Sequence, residues 1–185
     1  MESILNFAHE LVLKHINSNS ICVDMTVGNG HDTLFLCNNS TFVYGFDIQQ
    51  QAIENTYRLL NGHKLKNYLL YKTSHEFVLK TIHQKVDAFI YNLGYLPNGD
   101  KSKTTIFDTT YQSILGALKL LKVKGIIAIV VYPGHNEGKK ESIQLNQLLK
   151  KLNQKYYDVI KYEFINQKND PPYVLAIEKK LEEEI

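Results

Sequence analysis

The sequence predicts an α/β fold, with a mostly parallel central sheet, helices on both faces and an antiparallel edge at its C-terminal end. Short apolar segments that suit strands alternate with segments of helical periodicity, which is typical of strand–helix units around a parallel sheet. The last two strand-like segments follow each other without a helix between them, which favours an antiparallel pair. The length of 185 residues and the hydrophobic content of 44% fit a single domain over residues 1–185.

The first half of the chain opens with an amphipathic helix over residues 2–17, because Ile4, Ala8, Leu11 and Val12 recur at helical spacing. The polar run Asn17-Ser18-Asn19-Ser20 ends this helix. Strands are then predicted over residues 21–24, 41–47, 67–71 and 86–91, and helices over residues 32–38, 49–60 and 74–83.

The second half begins with a polar loop over residues 92–103, whose length and composition suit a site loop better than a tight connection. Residues 125–132 form the most apolar segment and are expected to be a central strand buried on both faces. The other predicted elements are helices over residues 104–121 and 138–152, strands over 156–164 and 173–178, and a frayed charged tail over 178–185.

Charge and cysteine usage argue against several function classes. The 21 Lys and Arg against 19 Asp and Glu leave a net charge of only +2, so any contact with RNA must be local. Cys22 and Cys37 lack metal-site spacing and the seven histidines lack close pairs, so no metal is expected. No segment is long and apolar enough for a bilayer and no signal peptide is evident, which predicts a soluble cytoplasmic protein without a membrane partner. The apolar face of the first helix is compatible with a homodimer.

The most informative motif is a Gly28-x-Gly30 turn between the strand over residues 21–24 and the following helix. Such turns let the backbone approach a nucleotide closely. Thr33 stands where the third glycine of the dinucleotide fingerprint would fall, which argues against a nicotinamide-dependent oxidoreductase. Asp24 would repel phosphates but attract the cation of an amino-acid-like ligand, which favours S-adenosyl-L-methionine.

In a parallel sheet the ligand lies beyond the carboxyl ends of the strands, so the residues that follow each strand are candidates for the site. The candidate cofactor-binding residues are Asp24, Thr26, Gly28, Asn29, Gly30, Asp32, Thr33, Asp47, Gln49, Ser74, His75 and Asn92.

Asp47 ends the second predicted strand, 23 residues after Asp24, at an offset where an acid commonly accepts the ribose hydroxyls of a nucleotide. The alternative interpretation is that Asp47 only caps the helix that begins near Gln49. Both roles are compatible with each other.

Three candidate catalytic residues follow later strands: Asn92, Tyr95 and His135. The Asn92 carbonyl can accept a hydrogen bond from an amine, and Tyr95 can stack on a base. His135 is a hypothetical proton acceptor for a methylated amine or a phosphate contact. The alternatives are a plain loop after the strand and a solvent-exposed loop histidine.

Three motifs together resemble those of a small family of class I methyltransferases labelled rRNA methylases. They are Asp24-x-Thr26-x-Gly28-x-Gly30-x-Asp32-Thr33, Asn92-Leu93-Gly94-Tyr95-Leu96-Pro97 and Tyr132-Pro133-Gly134-His135-x-Glu137-Gly138. The resemblance extends over nearly the whole chain, including the turn Asn169-Asp170-Pro171-Pro172, and it departs at Asn98, where a glycine is expected.

The resemblance implies a Rossmann-like class I methyltransferase fold with S-adenosyl-L-methionine as the cofactor. It also implies methylation of 5-aminomethyl-2-thiouridine at the tRNA wobble position, with the tRNA anticodon stem-loop as partner. Nothing in the residues alone identifies tRNA. An rRNA methyltransferase, a small-molecule methyltransferase and a non-catalytic nucleotide-binding module therefore stay open as alternatives.

Overall fold

A seven-stranded sheet forms the centre of the computed structural model, which describes residues 1–94 and 105–183. The strands are β1 Ile21–Asp24, β2 Phe42–Asp47, β3 Tyr68–Lys72, β4 Val86–Leu93, β5 Leu121–Val131, β6 Tyr157–Tyr162 and β7 Tyr173–Lys179. The helices are α1 Ile4–Leu13, α2 His31–Asn39, α3 Gln50–Gly62, α4 Val78–Thr81, α5 Phe107–Leu120 and α6 Asn136–Leu149, with a 3₁₀ turn at His75–Phe77.

The strand order is β3-β2-β1-β4-β5-β7-β6. The first five strands of this order pair in parallel, whereas β7 pairs antiparallel with both β5 and β6. The chain therefore reverses its strand order between β3 and β4, and ligands of α/β sheets bind at such a switch point. The predicted fold class, including the antiparallel C-terminal edge, is confirmed.

Both faces of the sheet are covered by helices, because alternate residues of the inner strands belong to two separate apolar clusters. Val23, Phe89 and Ile127 pack with α5 and α6 on one face. Cys22 and Ala88 pack with α1, α2 and α3 on the other face. The apolar segment 125–131 is buried throughout, as expected for a central strand.

The apolar face of α1 is used inside the chain. Ile4, Ala8 and Val12 are buried, and they belong to the same cluster as Val174 and Ala176 of β7. This face therefore gives no support to the expected homodimer. None of the helices within the described ranges combines the length and the apolar character that crossing a membrane requires.

Several elements differ from the prediction. Helix α1 ends at Leu13 instead of residue 17, and β4 extends to Leu93, so Asn92 lies in the strand and not in the loop. The helix expected over residues 74–83 is a 3₁₀ turn followed by the four residues of α4, because Ile82 leaves the helix with an extended backbone and is buried. Strand β5 begins at Leu121, directly after α5, because Leu121 pairs with Val86 and the register shifts before Ala88. Lys124 absorbs this irregularity with a φ of 65°.

Candidate active site

One large cavity of about 860 Å³ lies at the carboxyl ends of β1, β2, β4 and β5. Its volume is in the range of cavities that enclose a cofactor-sized ligand. The sequence-predicted residues in its wall are Thr26, Gly28, Asn29, Asp32, Asp47, Gln49, Ser74, His75, Asn92 and His135. The turn Asn169-Asp170-Pro171-Pro172 also lines the cavity. Tyr95 lies outside the described residues.

Three other predicted residues, Asp24, Gly30 and Thr33, are absent from the described wall of the cavity. Asp24 is fully buried, and its two carboxylate oxygens accept hydrogen bonds from Thr26 N–H at 3.1 Å and the Thr33 hydroxyl at 2.6 Å. Burial and the nearby Asp32 raise the pKa of Asp24. Asp24 and Thr33 therefore hold the glycine turn from behind.

Both glycines of the turn adopt the left-handed conformation, with φ values of 53° at Gly28 and 86° at Gly30. A Cβ at Gly30 would lie 2.7 Å from Thr56 Oγ1, so this position excludes a side chain sterically as well as conformationally. Gly30 directly precedes α2, whose first N–H groups have no partners within the helix. The turn therefore places backbone donors close to the cavity.

Asp47 ends β2 in the cavity wall, and its carboxylate binds backbone groups on both sides. Oδ2 accepts the Gly28 N–H at 2.9 Å and Oδ1 accepts the Gln49 N–H at 2.9 Å. Gln49 precedes α3 and α3 has no side-chain cap, so Asp47 closes a local turn before this helix. Burial raises the pKa of Asp47. These bonds and one from the Ile48 backbone favour the ionised carboxylate, which is the form that accepts a ribose hydroxyl.

Asn92, near the end of β4, is bound on several sides. Its backbone N–H donates to Thr26 Oγ1 at 2.6 Å, and its side-chain Nδ2 donates to Asp32 Oδ2. The Tyr132 hydroxyl lies 3.5 Å from Asn92 Oδ1 and donates to it. Burial, and then Asp32, raise the pKa of Tyr132, which keeps this hydroxyl protonated. The Asn92 carbonyl is thereby oriented within the cavity wall.

His9 on α1 is a residue of this network that the sequence did not single out. Its Nε2 lies 2.7 Å from Asp32 Oδ1, and its ring stacks on Phe35 with a centroid distance of 3.9 Å. Its only sequence signal is its place beside the buried Ala8 on the entry helix, and nothing local relates it to Asp32.

Two histidines in the cavity wall also contact the backbone. The buried His75 ring donates through Nδ1 to the Met25 carbonyl at 3.0 Å, and burial lowers the pKa of His75. His135 caps α6 by accepting the Gly138 N–H at Nδ1 over 3.0 Å. The neutral His135 ring therefore carries its proton on Nε2 and has no second lone pair for a proton from an amine. This geometry argues against His135 as the proton acceptor.

The charge of the cavity fits a cationic ligand. Among the described residues that line it, Asp32, Asp47 and Asp170 are acidic and none is Lys or Arg. A pyrophosphate would meet carboxylates here, whereas the sulfonium and ammonium groups of S-adenosyl-L-methionine would be attracted. The residues present thus fit this cofactor better than a dinucleotide.

Comparison with known proteins identifies the family. The family model described as "Putative rRNA methylase" matches residues 43–178. The chain belongs to this family. Its fold is shared by a Clostridium thermocellum protein of the same description, with 38% identity and a TM-score of 0.94 over 97% of this chain and 98% of that chain.

Two further relatives have descriptions that name a ligand or a substrate. A Streptococcus mutans protein solved in complex with S-adenosylhomocysteine is 35% identical, with a TM-score of 0.92 over 97% of this chain and 99% of that chain. The tRNA (mnm⁵s²U34)-methyltransferase of Arabidopsis thaliana chloroplasts is 36% identical over 148 residues, which is 72% of this chain and 54% of that protein. The chain thus matches about half the length of this curated relative.

The resemblance expected from the three motifs is confirmed, as is the Rossmann-like class I methyltransferase fold. The family and its fold likewise confirm S-adenosyl-L-methionine as the cofactor.

Proposed function

We propose that this protein methylates the primary amine of 5-aminomethyl-2-thiouridine at the tRNA wobble position, giving 5-methylaminomethyl-2-thiouridine. The observation that supports an amine acceptor is the Asn92 side chain. Its amide nitrogen faces Asp32, and its carbonyl, which accepts the Tyr132 hydroxyl, keeps a second lone pair for an N–H. The choice of tRNA rests on the description of the Arabidopsis relative.

On the cofactor side, we assign the ribose hydroxyls to the Asp47 carboxylate, with Gln49 beside the adenosine. Gly28 and Asn29 supply the backbone of the turn that approaches the cofactor, and Ser74 and His75 close the adjacent wall. When bound, S-adenosyl-L-methionine supplies a methyl group that its sulfonium activates.

On the acceptor side, the amine attacks the methyl carbon only as a neutral group with its lone pair directed at that carbon. The Asn92 carbonyl accepts one N–H of the amine and thereby aims the lone pair. With the cofactor bound, the new N–C bond would form as the C–S bond breaks with its electron pair left on sulfur, and the product ammonium would release its proton to solvent.

We assign stacking of the splayed wobble base to Tyr95, because loop bases in RNA are usually recognised on aromatic side chains. His135 is retained as a positioning group at the wall of the cavity, and its contact with Gly138 fixes the start of α6. Attachment of the anticodon stem-loop would use local lysines, so binding should weaken as salt rises.

A second candidate is methylation of rRNA, which the description of the family favours. The anticodon assignment and the rRNA assignment use the same cavity and the same cofactor. They differ in the RNA that carries the acceptor and in the acceptor group itself.

The experiment is incubation of the purified protein with methyl-labelled cofactor and bulk tRNA from cells that lack the gene, followed by identification of the labelled nucleoside by mass spectrometry. Parallel reactions contain rRNA or a small-molecule amine fraction. We expect the label in 5-methylaminomethyl-2-thiouridine. Label found only in rRNA or in small molecules would replace the tRNA assignment, and cofactor binding without any transfer would indicate a non-catalytic module.

A further inference from the structure

We propose that His9 and Asp32 are positioning residues that fix the side-chain amide of Asn92 for the incoming amine. The proposal deepens the proposed function and rests on it for the identity of the acceptor. It assigns to the first helix of the chain a role in the methyl-transfer step, although α1 belongs to none of the three motifs.

The orientation of the Asn92 amide follows from the chemistry of its neighbour. An ionised carboxylate only accepts hydrogen bonds, so the group facing Asp32 Oδ2 must be the NH₂ of Asn92 and not its carbonyl. The carbonyl then faces the Tyr132 hydroxyl on the other side. Without the carboxylate, nothing among these contacts distinguishes the two ends of the amide.

Asp32 is in turn held by His9. The second oxygen, Oδ1, lies 2.7 Å from His9 Nε2, and the side chains of His9 and Asp32 are only 28% and 11% exposed. The His9 ring is fixed by its stack on Phe35, with an angle of 3° between the rings. A donor that is placed so rigidly restricts the carboxylate to one rotamer.

The charge on Asp32 is also stabilised by its surroundings. Asp32 lies in the first turn of α2, where the helix dipole favours a carboxylate. Burial, and then the nearby Asp32, raise the pKa of the neighbouring Asp24 carboxyl. His9 supplies the donor that this partly buried charge needs.

Two variants of His9 distinguish a role in positioning Asp32 from a role in packing against Phe35. One variant lacks the N–H donor, and the other retains it. His9→Phe keeps a ring for the stack on Phe35 and loses the N–H, whereas His9→Gln restores an N–H donor near the position of Nε2. His15→Phe is the matched control. His15 follows α1, its Nε2 lies 3.4 Å from Glu178 Oε2, and it is not among the described residues that line the cavity.

We expect His9→Phe to lower kcat about tenfold, the size of one lost hydrogen bond to a charged group, with unchanged KM and Kd for S-adenosyl-L-methionine. His9→Gln should recover most of this loss, and His15→Phe should behave as the wild type. An unchanged kcat in His9→Phe overturns the proposal. So does a parallel loss of cofactor affinity, or a His9→Gln variant as slow as His9→Phe.

A second measurement does not depend on the substrate. In ¹⁵N-labelled protein, the side-chain amide signal of Asn92 is assigned by its disappearance in Asn92→Ala, and we expect it to shift in His9→Phe but not in His15→Phe. An unmoved signal overturns the positioning role even if the protein methylates another acceptor. If His9→Phe does not fold, His9→Leu serves as the donor-deficient variant in both measurements.

Discussion

We assign the Asp47 end of the cavity to the cofactor side and the Asn92 end to the acceptor side, and different kinds of contact hold the two ends in place. On the cofactor side, the Asp47 carboxylate binds the backbone N–H groups of Gly28 and Gln49. On the acceptor side, side chains bind side chains, from His9 through Asp32 to Asn92. The first arrangement depends on the course of the backbone, and the second depends on residue types on three separate elements.

This difference separates two functions. A backbone framework tolerates many changes of side chain while it keeps the binding geometry for a cofactor common to many enzymes. A side-chain network can be altered by single substitutions, so it is suited to tuning the geometry toward one acceptor. The variants below should therefore affect cofactor affinity and turnover separately.

The largest effect is expected for Asn92→Ala, which removes the acceptor-side carbonyl. Turnover should fall about 100-fold because the amine loses its orientation, whereas affinity for S-adenosyl-L-methionine persists. Single-turnover methyl transfer and calorimetry measure the two quantities. Asn61→Ala, on the exposed surface of α3, is the control. Normal turnover in Asn92→Ala would remove this residue from the mechanism.

The converse effect is expected for Asp47→Ala on the cofactor side. Loss of charged hydrogen bonds should weaken calorimetric affinity for the cofactor by about tenfold or more. At saturating cofactor, kcat should change less than in Asn92→Ala. The exposed Glu54→Ala on the adjacent helix α3 serves as the comparison. An affinity equal to that of the wild type would refute the ribose role of Asp47.

A smaller effect on stability is expected for Gly30→Ala, which tests whether the cofactor side relies on its backbone. The left-handed φ of 86° and the contact with Thr56 should cost about 1–3 kcal/mol of the free energy of unfolding. Gly62→Ala meets nothing within 4 Å and lies at the end of α3, so it should be neutral or stabilising. Urea denaturation measures both, and equal stabilities would contradict the steric argument.

The smallest effect concerns His75, whose side chain donates to the backbone carbonyl of Met25, directly after β1. Burial lowers the pKa of His75 in the folded protein. As the pH is lowered below the ordinary value of 6.5, the unfolded state binds the proton first, so the free energy of unfolding decreases. His75→Asn can still donate to the Met25 carbonyl and should reduce this loss. Urea denaturation at about pH 7.5 and about pH 5.5 tests it. The exposed His63→Asn should leave the slope unchanged, and an unchanged slope in His75→Asn would contradict the assignment.

The periodicity of apolar residues was sufficient to predict the sheet and its flanking helices, because burial on one or both faces leaves a direct pattern in the sequence. It failed at α4, where a buried Ile82 ends the helix early, and at the start of β5, where pairing with β4 extends the strand backward. Both differences arise from tertiary contacts that a local window does not contain.

The cofactor side could be predicted because its residues lie close together in the sequence or at a familiar offset. On the acceptor side, the sequence indicated Asn92 and Asp32 separately but not their contact, since they are 60 residues apart, and it did not indicate His9, which is 23 residues from Asp32. Asp24 and Thr33 were expected to contact the cofactor, yet they bind each other behind the turn. The sequence did not indicate which side of the turn each would face.

The position of β7 has a consequence for how the molecule is assembled. This strand inserts between β5 and β6, which are synthesised before it, and α1 packs on the same layer as β7. The edge of β5 that faces β7 and the edge of β6 that faces β7 therefore stay unpaired until residues 173–179 have been synthesised. Because α1 contacts β7 as well as β5, the helix that carries His9 completes its packing only when β7 is in place.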